Sequence, residues 1–349
     1  MSATTAPRRF PVNIVFSPSW WYTHYGITFQ QPFYMDMQER IANDLCMRRA
    51  LYDRFGYGSA NPHPRGVLGS RHLAGGFVVP ALLGVPIRFS DDQAAWPLPL
   101  ALSRNEVMAL RVPNLQTTWP LNVLLRQALQ LHARFGHVVG DLNTGGLVNT
   151  ALELRGQQFF IDLVEDPELC DHLLQTIADT QCAVAETVRR ITGTCSVAVN
   201  RSIVDVAEHL YLVGNCSVQN ISPALYETRV LPFDQRMAAR LSPFGIHHCG
   251  SNLQRYASAY SQLPLGFLDV GWGSDIARCS AAFPQVFLNL RLNPVRMLEC
   301  SPSEIAADIQ QLLASCARTT GFGLCSINMD ANTPDENVRT LLARGAEQG

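Results

Sequence analysis

The sequence predicts an α/β protein: a (β/α)8 barrel of the TIM type with an N-terminal helical and aromatic extension. Three observations point there. Short apolar strands alternate with amphipathic helices through the second half of the chain, which is the signature of βα units and a parallel sheet. At least four such units follow one another, which in a chain of 349 residues favours a closed barrel over an open sheet. Apolar residues make up 47% and charged residues only 16%, so a large buried core can form.

The elements follow in order. Residues 1–10 read as a flexible tail, and 11–349 as a single barrel domain whose segment 11–60 packs over the barrel. "PVNIVF" is a strand-like run leading into the aromatic stretch "SPSWWYTHYGITF". Residues 35–55 carry Ile41, Leu45 and Leu51 roughly on one helical face. Residues 60–120 are rich in Pro and Gly and offer no clear periodicity. Helices are predicted near 120–135, 150–162 and 167–191, the last opening on the acidic turn "EDPEL". Then "GIHHCG", "LGFLDV", "VFLNL" and "FGLCSIN" read as strands, each followed by a helix: near 252–262, near 274–283, at 302–317, and from Pro334 onward.

Composition narrows the function. The formal net charge is -2 and no run of like charge occurs, which argues against nucleic acid or a membrane surface as partner. The chain contains no lysine, so Schiff-base chemistry and a Walker-type phosphate lysine are excluded, and no GxGxxG fingerprint is present. No signal peptide or membrane span is expected, and ten scattered cysteines without a CxxC pair suggest reduced thiols in the cytoplasm.

"GIHHCGSN" carries the sharpest chemistry. Strand alternation sends His247 and Cys249 to one face and His248 to the other. Imidazole and thiolate are zinc-type ligands. Gly250 ends the strand, so Cys249 falls at its C-terminal end, the active-site edge of a barrel. Cys325 in "GLCSIN" stands at the corresponding end of another strand. His247, Cys249 and Cys325 would then leave a fourth position open, as in catalytic zinc sites. Cys325 reads equally as a buried thiol, one among ten. Further polar residues fall at expected strand ends: Asp141 and Asn143, Asn215 and Gln219, Asp269 beside Trp272, and Asp330. Asp269, Asp330 and Asn215 are the catalytic candidates. Asp141, Asn143, Gln219 and Trp272 are the substrate-binding ones, with Trp20, Trp21 and His24 as an aromatic wall or lid.

Several segments resemble the uroporphyrinogen decarboxylase superfamily: "RGQQFFIDLVEDPEL", "NISPALYETRVLPFDQRMAARL", "FLNLRLNPVRMLECSPSEI" and "TPDENVRTLL", together spanning roughly residues 120–345. Its decarboxylase branch works without metal and clamps a polycarboxylate with N-terminal arginines, yet no arginine lies between Arg9 and Arg40 here. "RFSDD" is similar to the decarboxylase "F-S-D" strand and aligns Asp91 with its aspartate. The other branch moves methyl groups from a corrinoid to a thiol such as coenzyme M and carries H-x-C-G plus a distant cysteine, which His247, Cys249, Gly250 and Cys325 match. The resemblance therefore implies a zinc-dependent methyltransferase with one Zn²⁺ per chain, a small thiol acceptor, and methyl-corrinoid presented by a separate carrier protein. It is compatible with a homodimer. Two alternatives remain: a cofactor-independent decarboxylase acting through Asp91 on a small carboxylated substrate, and a non-catalytic zinc- or corrinoid-binding protein.

Overall fold

The structure is a computed structural model, and it describes residues 10–73, 76–139, 142–193, 206 and 210–348. Its centre is a parallel sheet. β1 (Val12–Phe16), β6 (Tyr211–Gly214), β7 (Phe244–His248), β8 (Leu265–Val270), β9 (Phe287–Arg291) and β10 (Phe322–Met329) pair in the order β1-β10-β9-β8-β7-β6. Every pairing is parallel. β7 is buried at all five positions and β6 at all four. Helices therefore cover the outer face while the inner face is filled, which explains why these strands read as unbroken apolar runs rather than alternating ones.

Among the described residues the strands form a curled six-stranded parallel sheet of the TIM type, and closure into the expected eight-strand barrel is not seen. β2 (Gly66–Val67) and β5 (Val138–Val139) form a separate parallel ribbon, and β3 (Ile87–Arg88) pairs antiparallel with β4 (Trp96–Pro97). The sheet is a curled half-barrel whose two seams are joined by loops and side chains. At one seam the Gly214 amide donates to the Gly145 carbonyl at 2.9 Å. At the other, Asn13 Nδ2 donates to the Tyr57 hydroxyl at 3.2 Å, which donates to the Val12 carbonyl at 3.1 Å. The physical reason lies in composition. β2 and β5 are two residues each, set among Gly and Pro, which supply turns rather than a run long enough to pair on both sides. Gly146 makes the β6 seam feasible, since a Cβ there would sit 1.9 Å from the Gly214 carbonyl oxygen.

The connecting helices follow local signals. The helix Pro302–Cys316 starts at a capping box, with Ser301 and Glu304 satisfying each other's backbone amides and Pro302 in the first turn. The helix Pro167–Thr192 is capped by Asp166 and ends at Gly193 in the left-handed region. The expected helix at 150–162 is two, Leu147–Arg155 and Gln158–Glu165, separated at Gly156, whose φ is 68°. The helix near 252–262 is reduced to the short turns Leu253–Arg255 and Ala257–Tyr260. Segment 11–60 supplies β1 to the sheet itself as well as the helix Met37–Phe55. Among the described residues no helix is long and apolar enough to cross a membrane.

Candidate metal centre and cleft

Parallel register builds the site. His247 on β7 pairs with Asp269 on β8, and Asp269 pairs with Asn289 on β9, so three adjacent strands present polar side chains on one rung. All three residues are fully buried. Asp269 Oδ2 lies 2.5 Å from His247 Nδ1, and Asn289 Nδ2 donates to Asp269 Oδ1 at 2.7 Å. The carboxylate therefore fixes the imidazole and the amide fixes the carboxylate, the arrangement found behind histidine ligands of metals.

On its other side, His247 Nε2 lies 2.8 Å from Cys249 Sγ, and the sulfurs of Cys249 and Cys216 are 3.1 Å apart. Ligand atoms of Cys216, His247 and Cys249 all fall within 4.8 Å of one another. Arg291, the last residue of β9, donates to Cys249 Sγ at 3.6 Å from a buried position. Gly271 allows the loops to nest so closely: a Cβ there would lie 2.2 Å from the Gly250 carbonyl oxygen.

These contacts set the protons. The hydrogen bond with Cys216 is the largest influence on Cys249. Together with His247 and Arg291 it holds the Cys249 thiol well below its ordinary value, against the effect of burial. Cys216 moves the opposite way, raised by the same bond, by burial and by the charge on Cys249. Burial works against a charged His247, but the Cys249 and Asp269 charges outweigh it and raise the pKa to about 9. These shifts favour a protonated His247 beside an ionised Cys249, with the proton shared by the two sulfurs held on the Cys216 side.

The donor set opens on a cleft of about 760 Å³ at the C-terminal edge of the strands. Its lining includes His247, Cys216, Asn143, Asn149, Glu153 and Asp92. Glu153 projects from the helix Leu147–Arg155; burial pushes its carboxyl up to about 8, and its Oε2 has no protein partner.

The residues singled out from the sequence are distributed as follows. His247, Cys249 and Asp269 meet at the centre. Cys325 is buried against Val15 and Ile327, accepts from Asn289 Nδ2 at 3.2 Å, and stands outside the group of mutually close ligand atoms. Asn215 is buried beneath the site, donating to Asp234 at 3.2 Å. Asp330 accepts from the Asn332 amide in a turn. Asn143 lines the cleft and accepts from the Gly145 amide at 2.8 Å. Gln219 is exposed and covers Gly250. Trp272 borders a different cavity, of about 360 Å³, with Arg296 and Asp308. Trp20 and Trp21 are core residues rather than a wall of the cleft: Trp20 stacks on Phe16 at 3.9 Å and Trp21 packs edge-on to it. His24 lies 2.9 Å from the Ala331 carbonyl. Asp141 lies outside the described residues. His248, on the opposite face, is enclosed by Tyr260 and Asn252.

Sequence reading passed over Cys216, Asn289, Arg291 and Glu153. A signal existed for three of them. Cys216 follows the apolar run "YLVG", and Asn289 and Arg291 are alternate polar residues inside the otherwise apolar "VFLNLRL".

A parallel sheet that gathers imidazole, thiols and a buried carboxylate on one edge above an open cleft defines an enzyme-type α/β site. The profile of the uroporphyrinogen decarboxylase (URO-D) family matches residues 75–347. The chain belongs to that family. Among solved structures it is similar to a methyltransferase from Methanosarcina mazei, at 16% identity and a TM-score of 0.69, over 98% of this chain and 95% of that one; the likeness is one of fold. No curated protein matches the chain.

Proposed function

We propose that the protein is a zinc-dependent methyltransferase that moves a methyl group from a methyl-corrinoid, carried by a separate protein, to a thiol. One observation carries the reading: His247, Cys249 and Cys216 offer three mutually close ligand atoms, backed by Asp269 and Asn289, at the mouth of a cleft. Two sulfurs and one nitrogen suit zinc, and three protein donors leave a position for substrate. Zinc held there would deprotonate an acceptor thiol and so supply the nucleophile. The chain's own residues do the rest. Asp269 fixes the ring of His247 so that Nε2 faces the sulfurs. Arg291 offsets negative charge at Cys249. Asn143, Asn149 and Ser217 line the path by which an acceptor approaches.

Cys216 is the second thiolate in this proposal, and Cys325, separated from His247 by Asn289 and Asp269, is a positioning residue. Asp91, on which a metal-free decarboxylation would turn, is exposed, accepts from Gln30 Nε2 at 3.0 Å and is not among the lining residues of the cleft. The test is metal content of the purified protein and of the Cys216→Ser and Cys325→Ser variants, followed by thiol methylation with methylcobalamin as donor. About one zinc per chain, lost in Cys216→Ser, together with methylated thiol, is expected. Protein that takes up no zinc and loses nothing on chelation refutes the reading.

A further inference from the structure

We infer that the cleft is built for a cationic substrate and that Glu153 is the residue that receives its ammonium or similar group; this rests on the reading of the cleft as the acceptor site. The charged or titratable side chains among its described lining residues are Asp92, Glu153, His247 and Cys216. None is arginine, and the chain has no lysine. Asp92 stands on the loop after β3, with Gln93 beside it. Arg155, close to Glu153 in sequence, is turned away into a salt bridge with Asp162 at 2.7 Å. Among the described lining residues an anionic tail, whether sulfonate, phosphate or carboxylate, would thus meet two carboxyl groups and no guanidinium, while the one imidazole, His247, is engaged on both ring nitrogens by Asp269 and Cys249.

Glu153 itself points to a ligand. Its Oε2 is buried without a protein partner. Burying a carboxyl oxygen unpaired costs stability, and such a group in a cleft is commonly completed by what binds there. Elsewhere the cleft is lined by neutral side chains, Asn149, Thr150, Asn143 and Trp96 among them, which suit a short polar or apolar stem. A cation beside Glu153 favours its ionised form, so binding expels the carboxyl proton and strengthens as pH rises toward 9.

The experiment measures the charge preference of the cleft without requiring methyl transfer. In chelator-treated protein, Cys216 and Cys249 are modified with 2-aminoethyl, methyl and 2-sulfonatoethyl methanethiosulfonate at pH 7 and pH 9. The rates are read by peptide mass spectrometry. The ratio of cationic to anionic rate is expected to exceed that of Glu153→Gln by about tenfold at pH 9, the scale of one charge-assisted hydrogen bond. The difference should be smaller at pH 7, with the neutral reagent reacting equally in both proteins. Asp92→Asn, at an exposed position, is expected to lower the ratio less. An equal ratio in wild type and Glu153→Gln overturns the inference, as does a neutral-reagent rate that changes with it, since that would mark a general disturbance of the cleft. Loss of methyl transfer with the charge preference intact would instead count against the methyltransferase reading alone.

Discussion

Zinc uptake should release about two protons per metal at pH 7 and still more than one at pH 9.5. Zinc needs a neutral imidazole and two thiolates. In the metal-free centre Cys249 is already a thiolate, whereas His247, with a pKa of about 9, and Cys216, raised well above its ordinary value, both hold protons at neutral pH. Displacing two protons makes the apparent affinity climb about a hundredfold per pH unit, or about 2.7 kcal/mol, between pH 7 and 8. Above pH 9 His247 is mostly neutral, and the protons released come chiefly from Cys216, held above its ordinary value. Groups with ordinary values would release about half a proton or less at pH 9.5, because all three would be largely deprotonated. Isothermal titration calorimetry with chelator-buffered zinc, in buffers of different ionisation enthalpy, counts the protons directly. Half a proton or less at pH 9.5 would refute the proton placement and, with it, the hydrogen bond by which the Cys249 and Cys216 sulfurs share a proton.

Three further outcomes are expected. Asp269→Asn should weaken zinc binding about 10–100-fold, because His247 loses the carboxylate 2.5 Å from its Nδ1; competition with a chromophoric chelator measures it. His248, held neutral by burial with a pKa lowered to about 4, makes the fold acid-sensitive. Its folded value lies below the unfolded one of about 6.5, so stability present above pH 6.5 is lost as pH falls, by about 3 kcal/mol at pH 4. His248→Gln should flatten that slope in urea titrations. Arg155→Ala, which strands the buried Asp162 carboxylate and removes a hydrogen bond to the Leu102 carbonyl, should cost about 3–5 kcal/mol by the same measurement.

Much of the helical framework was legible because helix signals are local. Asp166 and Pro167 open one long helix, and Ser301, Pro302 and Glu304 open another, all within a few residues of where the chain turns. The strands at 244–248, 265–270, 287–291 and 322–329 were legible as apolar runs. What was not legible is lateral. Nothing near His247 in sequence says that Asp269 will stand beside it, nor that Cys216, 31 residues earlier than His247, will approach Cys249. The aromatic cluster shows the same limit. Trp20 and Trp21 have the composition of a binding surface, but packing against Phe16, stacked for Trp20 and edge-on for Trp21, buries them, and no periodicity in "SPSWWYTHYG" distinguishes the two fates. The stretch 60–120 resisted reading because its strands are two residues long and its order comes from packing.

The rung that joins His247, Asp269 and Asn289 also makes the centre a gauge of correct folding. Each side chain belongs to a different strand, and only one alignment of the three strands brings them level. If β8 slid by two residues against β7, its inward face would be preserved, but Phe267 or Gly271 would stand beside His247 in place of Asp269. Such a chain could bury nearly as much apolar surface and yet hold no oriented imidazole. Ligation of a metal by the native rung would therefore favour the properly aligned sheet over its near neighbours, and the chemistry of the site would act as a proofreading step for the architecture that carries it.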